Sequence, residues 1–233
     1  MPPAASRIGR SVLLALAVAS VLPWGALAAD PLVPTTQATT VTPTVMTVNV
    51  NLYRPHALVR QFTRYWCVPA AAQAMLNIVN RGHDRSYRTQ ARIARRIHRL
   101  NSYTYRSNGN DVGGWARYLD SRIGGAWHYA ARSYQTRDAA VAAIVGSIDR
   151  TGHPVGIVVD RGRHAWTVLG YRATVARGDA ARTIVGLYVT GSLRRDPWPY
   201  RYMSLSNFAL RYTRYHEWQR PVVWEGKFVI VSE

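Results

Sequence analysis

The sequence predicts an α+β domain, with helices in its first half and antiparallel strands in its second. Three observations predict it. Between Cys67 and Ile148, apolar residues recur at helical spacing in four successive stretches. From His153 onward the chain breaks into short β-rich runs divided by turn residues such as Asp160-Arg-Gly162 and Arg177-Gly-Asp179. The 233 residues give room for one domain with a real core, but not for two large ones once the ends are trimmed.

Taken in order, Arg7 and Arg10 precede an apolar run from Val12 to Leu22, and Ala26-Leu-Ala28 stands before Ala29-Asp30. That is the pattern of a secretory signal, so residues 1–28 are expected to be cleaved away and the protein exported. The apolar run is shorter than the ~20 residues that a membrane span needs, and it ends in Pro23. No span is therefore expected after cleavage. Residues 29–50 are rich in Thr, Pro and Val and read as a linker, leaving residues 51–233 as the domain. Across the junction, Val48-Asn-Val-Asn-Leu-Tyr53 alternates apolar and polar side chains, which suits an edge strand or the lead-in to the next loop.

The first helix runs from Cys67 to about Asn80, with Ala70, Ala71, Ala74, Met75 and Ile78 in register; Pro69 is tolerated in its first turn and Asn80-Arg-Gly82 ends it. A second spans Ser86 to Leu100, with Ile93, Ile97 and Leu100 on one face and arginines on the other. A third covers about Val112 to Ile123, capped by Asp111 and stopped at Gly124-Gly125. Trp127–Ala131 suits a short strand, and Thr136–Ile148 a fourth helix. Four strands follow at His153–Val159, His164–Tyr171, Thr183–Val189 and Lys227–Val231.

The formal charge is +18, and removing residues 1–28 takes away two arginines and no acid, leaving +16. Arg92–Arg99 and Arg194-Arg195 read as solvated basic faces that could associate with an anionic cell envelope, without specific nucleic-acid binding. No Gly-rich phosphate loop and no His/Cys spacing for zinc occurs, so neither cofactor nor metal is expected; a monomer is. Cysteine usage is more telling. An exported chain with a single cysteine, Cys67, can form no internal disulfide, so its thiol is either buried filler or a working group.

Its surroundings favour work. Cys67 stands where a loop turns into a helix, and the unpaired N–H groups and positive dipole end of a helix start stabilise an anion there. Gln61, six positions earlier, could return across the loop and aim its amide where a carbonyl oxygen becomes negative, beside the Cys67 N–H. A thiol nucleophile also needs a base, for which histidine is suited. Of the seven histidines, His56 is too near Cys67 in sequence, and His83, His98, His128 and His216 read as surface residues. His153 reads as a turn residue before a strand. His164 opens a long strand after a tight turn, so its ring projects at a strand end, and it is the preferred base.

The run Gln61 to Leu76, with Gln-x5-Cys-Val-Pro-Ala-Ala, together with Gly152–Val159 and His164-Ala-Trp-Thr-Val-Leu-Gly-Tyr171, resembles the papain-like cysteine peptidases. Within them it is most similar to the bacteriocin-processing, double-glycine-leader type and its secreted stand-alone relatives, over about residues 55–215. The resemblance implies a papain-like fold with an active site in the cleft between helices and sheet, a peptide or protein substrate, Gln61 as oxyanion-hole donor, Cys67 as nucleophile and His164 as base. Relatives commonly carry an Asp or Asn at the end of the strand after the histidine strand. Here that strand ends Leu187-Tyr-Val-Thr-Gly-Ser-Leu193, and Asp196-Pro-Trp198 follows a few residues late. The group orienting His164 is thus Asp196 after a bulge, Ser192, or a backbone carbonyl. The function expected is a secreted cysteine peptidase; the alternative is a catalytically idle papain-like scaffold that binds polyanions or the cell surface through its arginines and aromatic side chains.

Overall fold

Helices form where the periodicity places them, and their ends show why. In the computed structural model, which describes residues 45–104, 109–126, 128–176, 181–218 and 220–233, they are α1 (Cys67–Val79), α2 (Tyr87–Arg99), α3 (Val112–Asp120) and α4 (Arg137–Thr151); a short fifth helix that the periodicity does not mark, α5 (Leu205–Ala209), follows later. Ser86, Asp111 and Thr136 each accept a hydrogen bond from the backbone N–H three residues on, capping α2, α3 and α4. Gly152, in the left-handed region, stops α4 three residues beyond the expected Ile148. The signal, the linker as far as residue 44 and the Arg177-Gly-Asp179 turn lie outside the described residues.

The strands are β1 (Val45–Asn51), β2 (Ala130–Tyr134), β3 (Val155–Val159), β4 (His164–Ala176), β5 (Arg182–Gly191), β6 (Arg201–Ser204) and β7 (Phe228–Ser232). They make one antiparallel sheet in the order β2-β7-β3-β4-β5-β6, with β1 pairing the second half of β4. The linker reading therefore ends early: its last residues, from Val45, already form β1. The expectation of a helical half packed on a strand half is also too simple, because β1 and β2 from the first half join the sheet.

Alternation along the strands explains the layering. Val158, Ala165, Val229 and Val231 face a core shared with Val68, Ala71, Met75, Ile93, Ile97, Trp115 and Leu119 of α1, α2 and α3. Their neighbours Val155, Ile157, Val159, Trp166, Val168, Phe228 and Ile230 face a second core with Ala140, Val141, Ile144 and Ile148 of α4 and Phe208 of α5. Helix α1 is buried on nearly all sides, and its small residues Ala70, Ala71, Ala72 and Ala74 allow it to lie close against β4. This architecture sets the start of α1, the start of β4 and the end of β5 at one end of the sheet.

Candidate active site

The loop leading into α1 is fixed by buried amides. Gln90, fully buried on α2, accepts from Phe62 N–H at 2.9 Å and donates to Arg60 O at 3.1 Å and to Gln73 Oε1 at 3.2 Å. Asn77 donates to Ala57 O at 3.0 Å and Asp84 O at 2.9 Å. A side-chain amide that bonds backbone on both sides leaves several groups orphaned when removed. Gln90→Ala is therefore expected to lower stability by about 2 to 4 kcal/mol, read as a lower denaturant midpoint at unchanged slope.

That loop delivers Cys67, half-buried and free of disulfides, to the first position of α1. No side chain caps this helix, and among the described residues the Cys67 N–H donates to no protein acceptor. Opposite it, β4 begins at His164, only 5% exposed, with the Cys67 sulfur near enough to favour a charged ring. The other side of the ring meets a carboxylate: His164 Nε2 donates to Asp196 Oδ2 over 2.6 Å, so Nδ1 is the nitrogen left to face the thiol. Burial works against a charged imidazole, but the Asp196 carboxylate and the Cys67 sulfur outweigh it and raise His164 from 6.5 to about 9.

Asp196 is itself fully buried at its side chain. Burial alone raises its carboxyl. The hydrogen bond and charge of His164, the Leu193 N–H at 2.6 Å and the Trp166 indole outweigh that and hold the carboxyl below its ordinary value. Trp166 and Asp196 face each other without closing a full hydrogen bond, since Trp166 Nε1 and Asp196 Oδ1 both lack a partner of good geometry. The indole acts through its dipole, and it is steadied by the Arg211 guanidinium lying over its ring at 4.9 Å. Sequence reasoning gave Trp166 no role; its position two residues along the strand from His164 was the only signal.

The late position of the acid has a local cause. Gly191 ends β5 opposite Trp166, and a Cβ there would lie 2.6 Å from the Cβ, Cγ and Oδ2 of Asp196. The strand end carries no side chain, and the turn closed by Asp196 N–H to Leu193 O at 3.1 Å returns the Asp196 carboxylate into the vacated space. Of the three orienting groups left open by the sequence, Asp196 is the one brought to His164.

Ser192 serves Gln61 instead. Its hydroxyl donates to Gln61 Oε1 at 2.8 Å, and its carbonyl accepts from Gln61 N–H at 3.2 Å. Gln61 Nε2 donates to Thr63 O at 2.7 Å, which uses one of its two hydrogens and leaves the second. Four of the other six histidines are engaged elsewhere: His153 pairs with Glu233, His128 with Asp120, His216 with Glu225 and His98 with Gly109 O. Among the described residues no group of three or more His, Cys, Asp or Glu could hold a metal, and no helix is long and apolar enough to cross a membrane.

Fold and site together define an α+β protein with a cysteine, a histidine and a buried aspartate in line at one end of an antiparallel sheet, the arrangement of thiol acyl-transfer chemistry. Residues 53–218 match the model of the Peptidase_C39 like family, and the chain belongs to that family. Comparisons with curated proteins and with solved structures give no match.

Proposed function

We propose that the chain is an exported cysteine peptidase of papain-like architecture, whose substrate lies in a cleft at this end of the sheet. The observation that carries the reading is His164, hydrogen-bonded on one side to a buried aspartate and influenced on the other by the sole cysteine. The His164 imidazole takes the proton of the Cys67 thiol. The sulfur attacks the peptide carbonyl carbon, forming the S–C bond, and the oxygen that becomes negative is met by the Cys67 N–H and the second hydrogen of Gln61 Nε2. His164 gives its proton to the amine nitrogen as the C–N bond breaks. Water then attacks the thioester, returning a proton to His164 and freeing the acid product and the thiolate. Asp196 keeps the ring oriented throughout and stabilises the imidazolium whenever the ring carries the extra proton.

Export rests on the signal pattern of residues 1–28, and the net charge of +16 left after its removal favours association with an anionic envelope. The test is a peptide inhibitor with an electrophile at the scissile position, followed by mass mapping and by cleavage of a broad peptide library. A single adduct on Cys67, formed far faster than with free cysteine, and a defined set of cleaved bonds are expected. A protein that cuts no member of the library and labels no faster than a free thiol, yet binds polyanions in low salt, is the idle basic scaffold instead.

A further inference from the structure

Beside His164 lies a groove of about 520 Å³. Four segments build it: Arg64 comes from the loop before α1, Asp160, Arg161 and Arg163 from the turn between β3 and β4, Arg195 from the turn that carries Asp196, and Leu210 and Thr213 from the stretch after α5. The single acid on its walls is already engaged, since Arg211 Nε and Nη2 grip the two oxygens of Asp160 at 2.6 and 2.5 Å. Among the described residues Arg64, Arg163 and Arg195 form no ion pair, and all three are exposed. Arg161 shares part of its field with Glu225. Several guanidinium groups thus converge on a concave surface next to the reacting centre with no anion to answer them.

The turn that bears two of them is held rigidly. Asp160 and Arg161 both adopt positive φ, of 54° and 61°, which a non-glycine residue keeps only when its surroundings enforce it. Asp160 N–H donates to Arg211 O at 2.9 Å, and Arg161 N–H to Thr213 Oγ1 at 2.9 Å. Gly162 lies so close beneath Tyr215 that a Cβ would come within 2.8 Å of the ring. The guanidinium groups of Arg161 and Arg163 rest over the exposed Trp218 ring at 5.2 and 4.8 Å, leaving their N–H edges free for a carboxylate. Pre-placed cations of this kind bind anions without first being ordered.

We propose that this groove binds acidic side chains of the substrate on the C-terminal side of the scissile bond, with Arg64, Arg163 and Arg195 as specificity-determining residues. The side follows from the chemistry. His164 hands its proton to the leaving amine, so the segment that leaves runs past His164 and into the groove that adjoins it. The assignment rests on the peptidase reading for its orientation, while the anion preference rests on the groove alone.

The experiment measures binding and cleavage separately. Fluorescence anisotropy on the Cys67→Ala protein follows labelled peptides that carry two Asp or Glu residues, or the matching Asn and Gln, on either side of one candidate bond. Acidic peptides are expected to bind about tenfold more tightly than their amide counterparts, with the gain falling as salt rises. Arg64→Gln combined with Arg163→Gln should remove most of that gain, whereas Arg92→Gln combined with Arg96→Gln on α2, which changes the charge equally, should keep it. Equal affinity for acidic and amide peptides, or equal loss from the two double variants, overturns the groove as an anion site. A preference for acids on the N-terminal side overturns its orientation. Cleavage of the same peptides by the unsubstituted protein reads the peptidase proposal by itself: charge-selective binding without any cleavage keeps the groove and sinks the peptidase.

Discussion

In the Asp196→Asn variant the alkaline limb of the pH–activity profile moves down from about 9, and kcat/KM at pH 8 falls by about 10²- to 10⁴-fold. The sign follows from what surrounds the ring. Burial is the largest influence on His164 and disfavours its charged form; the Asp196 carboxylate and the Cys67 sulfur reverse it. An amide at position 196 can still occupy the space, but it brings no negative charge, so burial regains weight and the imidazolium is lost at lower pH. Chemistry needs that imidazolium as the acid for the leaving amine, and the pH range in which thiolate and imidazolium coexist shrinks from its alkaline side.

Stability changes in the same direction. A histidine raised from 6.5 to about 9 in the folded state contributes stability that is fully present below 6.5 and disappears as the pH rises through 9. Melting temperature against pH should therefore decline across this window in the unsubstituted protein, and less steeply in Asp196→Asn. Activity profiles over pH 5–10 and thermal melts at the same points check both. A variant that loses activity uniformly at every pH, with its alkaline limb unmoved, means that Asp196 supports the turn and does nothing for the charge on His164.

The parts of this arrangement that were legible in the sequence are those written in neighbouring residues. Ser86, Asp111 and Thr136 announce helix starts by local chemistry, and each caps its helix. The sole cysteine at a helix start and the histidine at a strand start were found the same way, and they meet in the fold. What escaped depends on pairing between distant segments. The fourth strand continues to Ala176, beyond the expected Tyr171, because β1 and β5 both bind its second half. No element is expected at Arg201–Ser204, yet it pairs with β5 as β6 and leads directly into α5. The network of Gln73, Asn77 and Gln90 is invisible to periodicity, since each residue reads as one more polar position on a helix and its partners are backbone atoms of a loop. The carboxylate beside His164 was half legible: Asp196-Pro-Trp198 resembled the expected motif, but its displacement made sense only once Gly191 was seen to vacate the strand end.

That glycine yields the second large effect. Gly191→Ala is expected to destabilise the protein by about 2 to 5 kcal/mol and to reproduce the shifted alkaline limb of Asp196→Asn, although the substitution alters no ionisable group. The new methyl carbon would lie 2.6 Å from three atoms of Asp196, far inside the ~3.5 Å at which carbon atoms begin to repel. Asp196 has no room to yield, being buried between His164 Nε2 and the Leu193 N–H. Either the turn from Ser192 to Asp196 lifts away or the carboxylate rotates off the ring; in both cases a buried acid and a buried histidine lose each other. The turn also carries Ser192, which holds Gln61, so movement of the turn disturbs both the oxyanion side and the imidazole side of the site. A double-mutant cycle distinguishes this mechanism from ordinary overpacking. In an Asp196→Gly background the methyl group meets empty space, and Gly191→Ala should then cost less than about 1 kcal/mol and leave the pH profile where Asp196→Gly set it. Full additivity of the two substitutions would show instead that Gly191 serves the strand and has no part in placing the acid.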